Sequence, residues 1–449
     1  MKRAKAAPRR VTSTAQTLDQ LRRFESRNIT NLPRDGTWPI VWERARGCYV
    51  WDPEGTRYLD LTAAFGVAAA GHGNPAVVRA ARQQMRDLLH AMGDVHPHHQ
   101  KAELTRELSE ITFQRWTENA RRSQRLSGKT ILCNSGFEAV EAALKTARMA
   151  TKRPGVIAFE GGYHGLGYGA LNVTHRDHFR QPFLDQLREF ARFVSYPVDE
   201  PGVADAERKI RKLIRTHAIG AVLVEPIQAR GGIRVPSPQL LPMLRRLCHE
   251  EKVLLILDEI YTGFGRTGRW FACEHSSVVP DLICVGKALT GGFPLSACIG
   301  RADVMDAWPE STGEAIHTST YLGHPVGCAM ALAQIAEIRR LNLCERSARL
   351  GKVLCEMLEV LSMLWDSKTL KLEARGLGLM AGLALTDMKG RPATDATLCL
   401  LVRLLRRGFI FLPEGEAANV LAWTPPLIIA ERTLVASIRA VAQELRTLK

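Results

Sequence analysis

Apolar residues recur through the middle of the chain in short unbroken runs rather than in alternation with polar ones. Residues 130–133, 156–159, 221–224, 253–257, 282–285 and 296–299 are such runs. Runs of this length without period-two polarity predict strands buried on both faces of a largely parallel sheet. Between several of them the spacing lengthens to that of amphipathic helices, at 137–151, 204–216 and 238–251. The alternation predicts an α/β fold in which helices cover a mostly parallel sheet.

The flanks read differently. Residues 1–17 form a basic, disordered tail, and a short helix is expected over 18–26. Residues 47–61 alternate around Pro53-Glu54-Gly55, which predicts a β-hairpin. Gly71-His72-Gly73-Asn74-Pro75 then breaks the chain before a helix over 76–89. After Gly323, helical spacing at 327–341 and 346–364 leads into a mixed α+β tail that ends in a helix over 431–448. The expected division is the tail (1–17), a large domain (76–322), and a smaller α+β domain assembled from 18–75 and 323–449.

Composition narrows the function classes. The chain is 46% hydrophobic and 24% charged, which suits a packed core rather than disorder. No apolar run approaches the ~18 residues of a membrane span, so no membrane partner is expected. The ten cysteines show no CxxC spacing, and Cys133, Cys284 and Cys298 lie inside apolar runs. They read as free thiols in a reducing cytoplasm, although the basic tail also fits an organellar matrix protein. The net charge of +15, from 61 basic and 46 acidic residues, is scattered, and aromatics are only 6%. Without a focused basic face or a recognisable module, nucleic acid is not an expected partner. His90, His96, His98 and His99 cluster, but no cysteine or paired carboxylate completes a ligand set, so no metal is expected.

Two charges stand where buried strands emerge into turns. Asp258 ends the run 253–257, and Lys287 follows the run 282–285 and Gly286. Ligand chemistry in open α/β sheets gathers at the carboxyl ends of the strands. A lysine and an acid delivered there suit pyridoxal phosphate (PLP), which needs an amine for covalent attachment and an acidic partner for its ring nitrogen. A buried acid also needs a cationic partner, and an apolar pocket lowers a lysine pKa. Two further turns complete the set. Cys133-Asn134-Ser135-Gly136-Phe137-Glu138 opens a helix whose amides can hold a phosphate. In Glu160-Gly161-Gly162-Tyr163-His164-Gly165, glycines let the Tyr163 ring approach a flat ligand.

Taken together these segments resemble the class III (ω-type) aminotransferases, PLP enzymes of fold type I, from about Trp42 to the C-terminal helix. The most specific stretches are 257–268, 286–297 and 317–325. The resemblance implies that Lys287 attaches to the cofactor, Asp258 pairs with its pyridine nitrogen, and Tyr163 stacks on its ring. Ser135, Gly136 and Phe137 would surround the phosphate, with His164, Glu225 and Tyr261 as further cofactor contacts. Gln228 would lie beside the substrate, and Thr320 would reach the phosphate in the other subunit of a homodimer. The implied reaction moves an amino group from a donor to an oxo acid by a ping-pong mechanism. A racemase, epimerase or aminomutase on the same scaffold is the alternative.

Three departures bear on substrate. Tyr261 replaces a glutamine that touches the cofactor's phenolic oxygen, a bond the tyrosine hydroxyl can imitate. Ala422 replaces an arginine that clamps an α-carboxylate, which favours an ω-amine donor. Arg230 stands where a gating glutamate is usual, so both partners of that gate are absent. Arg230 is then the candidate to hold a substrate carboxylate.

Overall fold

The computed structural model describes residues 12–33, 36 and 38–448. Near the N-terminus β1 (Arg44–Arg46), β2 (Tyr49–Trp51) and β3 (Arg57–Asp60) form an antiparallel ribbon. The central strands are β4 (Gly128–Cys133), β5 (Gly155–Phe159), β6 (Ala191–Val194), β7 (Ile219–Val224), β8 (Leu254–Asp258), β9 (Leu282–Val285) and β10 (Ser296–Arg301). They make one sheet in the order β4-β10-β9-β8-β7-β5-β6, with β10 antiparallel to both neighbours and the rest parallel. Every residue of β7 and β9 is buried. That two-sided burial is why these segments carry no polar alternation.

Helices Gly136–Thr151, Glu200–Thr216 and Leu240–Glu250 connect and cover the strands. At the other end of the chain come β11 (Leu370–Leu377), β12 (Met380–Asp387), β13 (Phe409–Ile410), β14 (Leu412–Glu414) and β15 (Val420–Trp423). A second small sheet has the order β11-β12-β15-β14. The two chain ends meet directly, because β13 adds in parallel to β3 with Phe409 opposite Leu59. The fold is thus fold type I α/β with a smaller α+β layer built from both ends.

The expected elements are present with small shifts. The first helix spans Thr14–Phe24 rather than 18–26, because Ser13 and Gln16 form a reciprocal N-terminal cap. Residues 14–17, expected to belong to a disordered tail, are therefore helical, and the first eleven residues of that expected tail lie outside the described ones. Strand β6 was not expected; it is a sheet-edge strand with only its end residues, Ala191 and Val194, buried. All ten cysteines are free, and eight of them are buried. Among the described residues no helix is long and apolar enough to cross a membrane.

Candidate active site

Parallel pairing brings the predicted residues together. Strands β9, β8, β7 and β5 are neighbours, and each sends one functional side chain from its carboxyl end. These are Lys287, Asp258, Glu225 and His164, and all four line a cavity of about 440 Å³. Gly136, Phe137, Tyr163, Tyr261 and Arg230 line the same cavity.

Asp258 is buried, and its expected cationic partner is His164, whose Nδ1 lies 2.8 Å from Oδ2. The other carboxylate oxygen accepts the amide of Ile260 at 3.1 Å. Burial opposes a charge on His164, but the hydrogen bond and charge of Asp258, with Glu225 beyond, raise its pKa. His164 thus supplies the partner that a buried acid placed to meet a ring nitrogen needs.

Lys287 sits over the face of Tyr261, with Nζ 4.4 Å from the ring centroid. Burial lowers its pKa, against the opposing pull of Asp258, Glu225 and Glu414. A lowered value favours the neutral amine, which is the nucleophilic form. The Tyr261 hydroxyl has a partner within the protein. It is buried and shares a hydrogen bond with Thr424 Oγ1 at 3.2 Å, so the ring face meets Lys287.

Glu225 works through the backbone. Its Oε1 accepts the Tyr163 amide at 2.9 Å, and its Oε2 accepts the Ala229 amide at 3.3 Å. One carboxylate therefore fixes both the Tyr163 turn and the loop that carries Arg230, and burial raises its pKa. Gln228 does not line the cavity. It is buried, donating to the Glu160 carbonyl at 2.9 Å and accepting from Arg234 at 3.3 Å. Gly161, at φ +80°, allows this approach, because a Cβ there would lie 2.9 Å from Gln228 Oε1. The substrate contact expected of Gln228 is thus replaced by a structural one.

The phosphate turn fits its ligand. Ser135 precedes helix Gly136–Thr151 in the capping position, yet its side chain makes no capping bond. Its Oγ is buried and has no hydrogen-bond partner, while Ser296 Oγ holds the Ser135 carbonyl at 2.6 Å. An unpaired buried hydroxyl beside free helix amides is a ready anion contact. Thr320 is exposed and does not line this cavity.

Arg230 does have an acidic partner, contrary to the expectation that the gate was lost. Its Nε is 3.7 Å from Glu414 Oε2, and its guanidinium lies 5.7 Å from the Tyr163 ring centroid. Glu414, at the end of β14, was missed because nothing local distinguishes it. Its strand pairs with β15, placing it opposite Val420 and near Ala422. Ala422 itself is buried in an apolar cluster with Tyr261, Ile233 and Met380.

Comparison with known proteins identifies the family. The family model described as aminotransferase class-III matches residues 32–445. An acetylornithine aminotransferase of Methanopyrus kandleri is 36% identical over 91% of this chain and 95% of its own length. A 4-aminobutyrate aminotransferase of Escherichia coli is 34% identical, covering 90% of this chain and 93% of its own. Among solved structures, an amine transaminase from an uncultivated Pseudomonas species in PLP-bound form superposes with a TM-score of 0.85. That structure is 26% identical and covers 95% of this chain and 99% of its own. The chain belongs to the class III aminotransferases, enzymes of fold type I whose cofactor is pyridoxal phosphate.

Proposed function

We propose that the chain takes an amino group from a donor whose reacting amine lies away from any carboxylate, and passes it to an oxo acid by a ping-pong mechanism. The observation that carries the donor preference is the wall at Ala422. That position is small, buried and packed behind Tyr261, so β15 offers no cation to an α-carboxylate. The arginine that does line the cavity, Arg230, stands on the Tyr163 side. The acetylornithine and 4-aminobutyrate relatives support the reading, since each is named for a donor that carries an amine or carboxylate at a distance from the other.

Residue roles follow from position. The bound cofactor supplies an electron-withdrawing ring that stabilises negative charge at the substrate carbon. Asp258, held by His164, keeps a negative charge where the ring nitrogen would sit. Lys287 Nζ, once released from covalent attachment, carries the proton from the substrate carbon as general acid and base. Tyr163 would cover the ring, and Ser135 Oγ with the Gly136 and Phe137 amides would hold the phosphate.

A homodimer with shared sites completes the reading. Exposed Thr320 is available to a partner's phosphate. Beside it in sequence Ile316 is 65% and Tyr321 58% exposed, large apolar groups that a partner subunit would cover.

Absorbance of the cofactor-loaded protein tests the donor. Bleaching by 4-aminobutyrate should be at least tenfold more efficient than by 2-aminobutyrate, its isomer with the amine beside the carboxylate. Equal or reversed efficiencies would sink the ω-amine preference. A product formed without stoichiometric consumption of an oxo acid would instead indicate an isomerase.

A further inference from the structure

Arg230, which lines the cavity, has a second cation, Arg176, close by and one buried anion, Glu414, beside it. Arg230 lies on the Tyr163 ring, Tyr163 meets Phe179 edge-on at 5.5 Å, and the Arg176 guanidinium lies 5.2 Å from the Phe179 centroid. One aromatic strip therefore carries both guanidinium groups. The Nε of each is buried and has no hydrogen-bond partner. Arg176 donates only to the Glu416 carbonyl, at 3.3 Å, and the Arg230 guanidinium makes no hydrogen bond among the described residues. Two buried donors left open on one aromatic strip are suited to an anion.

Glu414 does not satisfy those donors. Its contact with Arg230 is a single ion pair at 3.7 Å, beyond hydrogen-bond length. Glu416, the other acid near Arg176, is exposed and screened by solvent. The backbone around the pair is fixed. Gly415 donates to the Arg230 carbonyl at 3.1 Å, and His175 donates to the Gly162 carbonyl at 3.0 Å beside Arg176. Side chains can therefore exchange partners without moving either loop.

We propose that Arg176 and Arg230 form a two-guanidinium cradle for the carboxylate of an amino donor or oxo-acid acceptor. Glu414 is its internal counter-ion, which the incoming carboxylate displaces from Arg230. The proposal rests on the aminotransfer reading above and names the substrate feature that site selects. Planar guanidinium groups suit a carboxylate because each can present two parallel donors. Burial pushes the Glu414 carboxyl up to about 7, so losing Arg230 does not leave a firmly held charge stranded. The pair has the opposite polarity to a gate whose arginine comes from the β14–β15 side. Here the acid sits on the small-domain strand and the arginine on the loop after β7.

Calorimetric titration of the PLP-loaded enzyme with glutarate, a dicarboxylate without an amine, tests the cradle apart from turnover. Arg176→Gln and Arg230→Gln should each weaken glutarate at least tenfold, and Glu414→Gln should tighten it severalfold. Arg176→Lys keeps the charge without the planar fork and should weaken it about threefold. It decides the matter if Arg176→Gln does not fold. Wild-type affinity in the Arg176 variants, or weaker binding in Glu414→Gln, would overturn the cradle. Half-reactions with 4-aminobutyrate separate the two proposals. Glutarate results as expected without any reaction of 4-aminobutyrate would leave the cradle standing and remove the ω-amine donor. Reaction of 4-aminobutyrate with unaltered affinity in Arg176 variants would do the reverse.

Discussion

At the scale of single residues, the hydrogen bond between His164 and Asp258 sets the charge at the cavity floor. His164 has a pKa raised above the ordinary 6.5 by Asp258 and Glu225, against burial. A raised value means the charged pair stabilises the fold fully below the unfolded pKa. That contribution is lost as pH rises through the folded value. The melting temperature should therefore fall less with pH in His164→Gln than in wild type. The gap between them should be widest below the ordinary histidine value and shrink as pH rises above it. A gap constant across that range would mean that folding leaves the His164 pKa unshifted. Lys287 and Asp258 were legible in the sequence because each ends a buried apolar run, and strand ends are where such charges can work. Tyr261 was legible as a site residue but not in its use, since Thr424 from the far end of the chain decides where its hydroxyl points.

At the scale of elements, the turn into helix Gly136–Thr151 separates a structural serine from a ligand-binding one. An N-terminal serine that caps its helix loses about 1 kcal/mol when changed to alanine. Ser135 makes no capping bond, so Ser135→Ala should leave the melting temperature of the cofactor-free protein unchanged. Cofactor affinity should fall by about tenfold, as befits a lost hydrogen bond to a charged group. A drop in cofactor-free stability with unaltered affinity would make Ser135 a structural cap instead. Element types were readable because the periods of strand and helix differ, and boundaries were less so. The early start at Thr14 depends on a reciprocal Ser13–Gln16 cap, and β6 hides because an edge strand need not be apolar throughout.

At the scale of the whole molecule, the proposed homodimer makes its own prediction. Thr320 and Lys287 would serve one site from different subunits. Mixing inactive Lys287→Ala with Thr320→Ala subunits should therefore rebuild one complete site in each hybrid dimer. Cofactor affinity and turnover of that site should match wild type, giving about half the activity of a wild-type dimer. Activity no higher than the average of the two parents would place Thr320 in its own subunit's site or outside any site. By itself the sequence determined the α/β class, the order of the elements, the reducing character of the cysteines, and the Lys287–Asp258 pair. These follow from local pattern, because burial on both faces of a parallel sheet writes itself into consecutive residues. Only the tertiary structure decided that His164 holds Asp258, that Glu225 braces two loops, and that Gln228 is buried in structural bonds. It alone brought Glu414 to Arg230 and set Arg176 on the same aromatic strip. Those contacts join residues from separate strands and both chain ends, and pairing across such distances in sequence leaves no local periodicity to read.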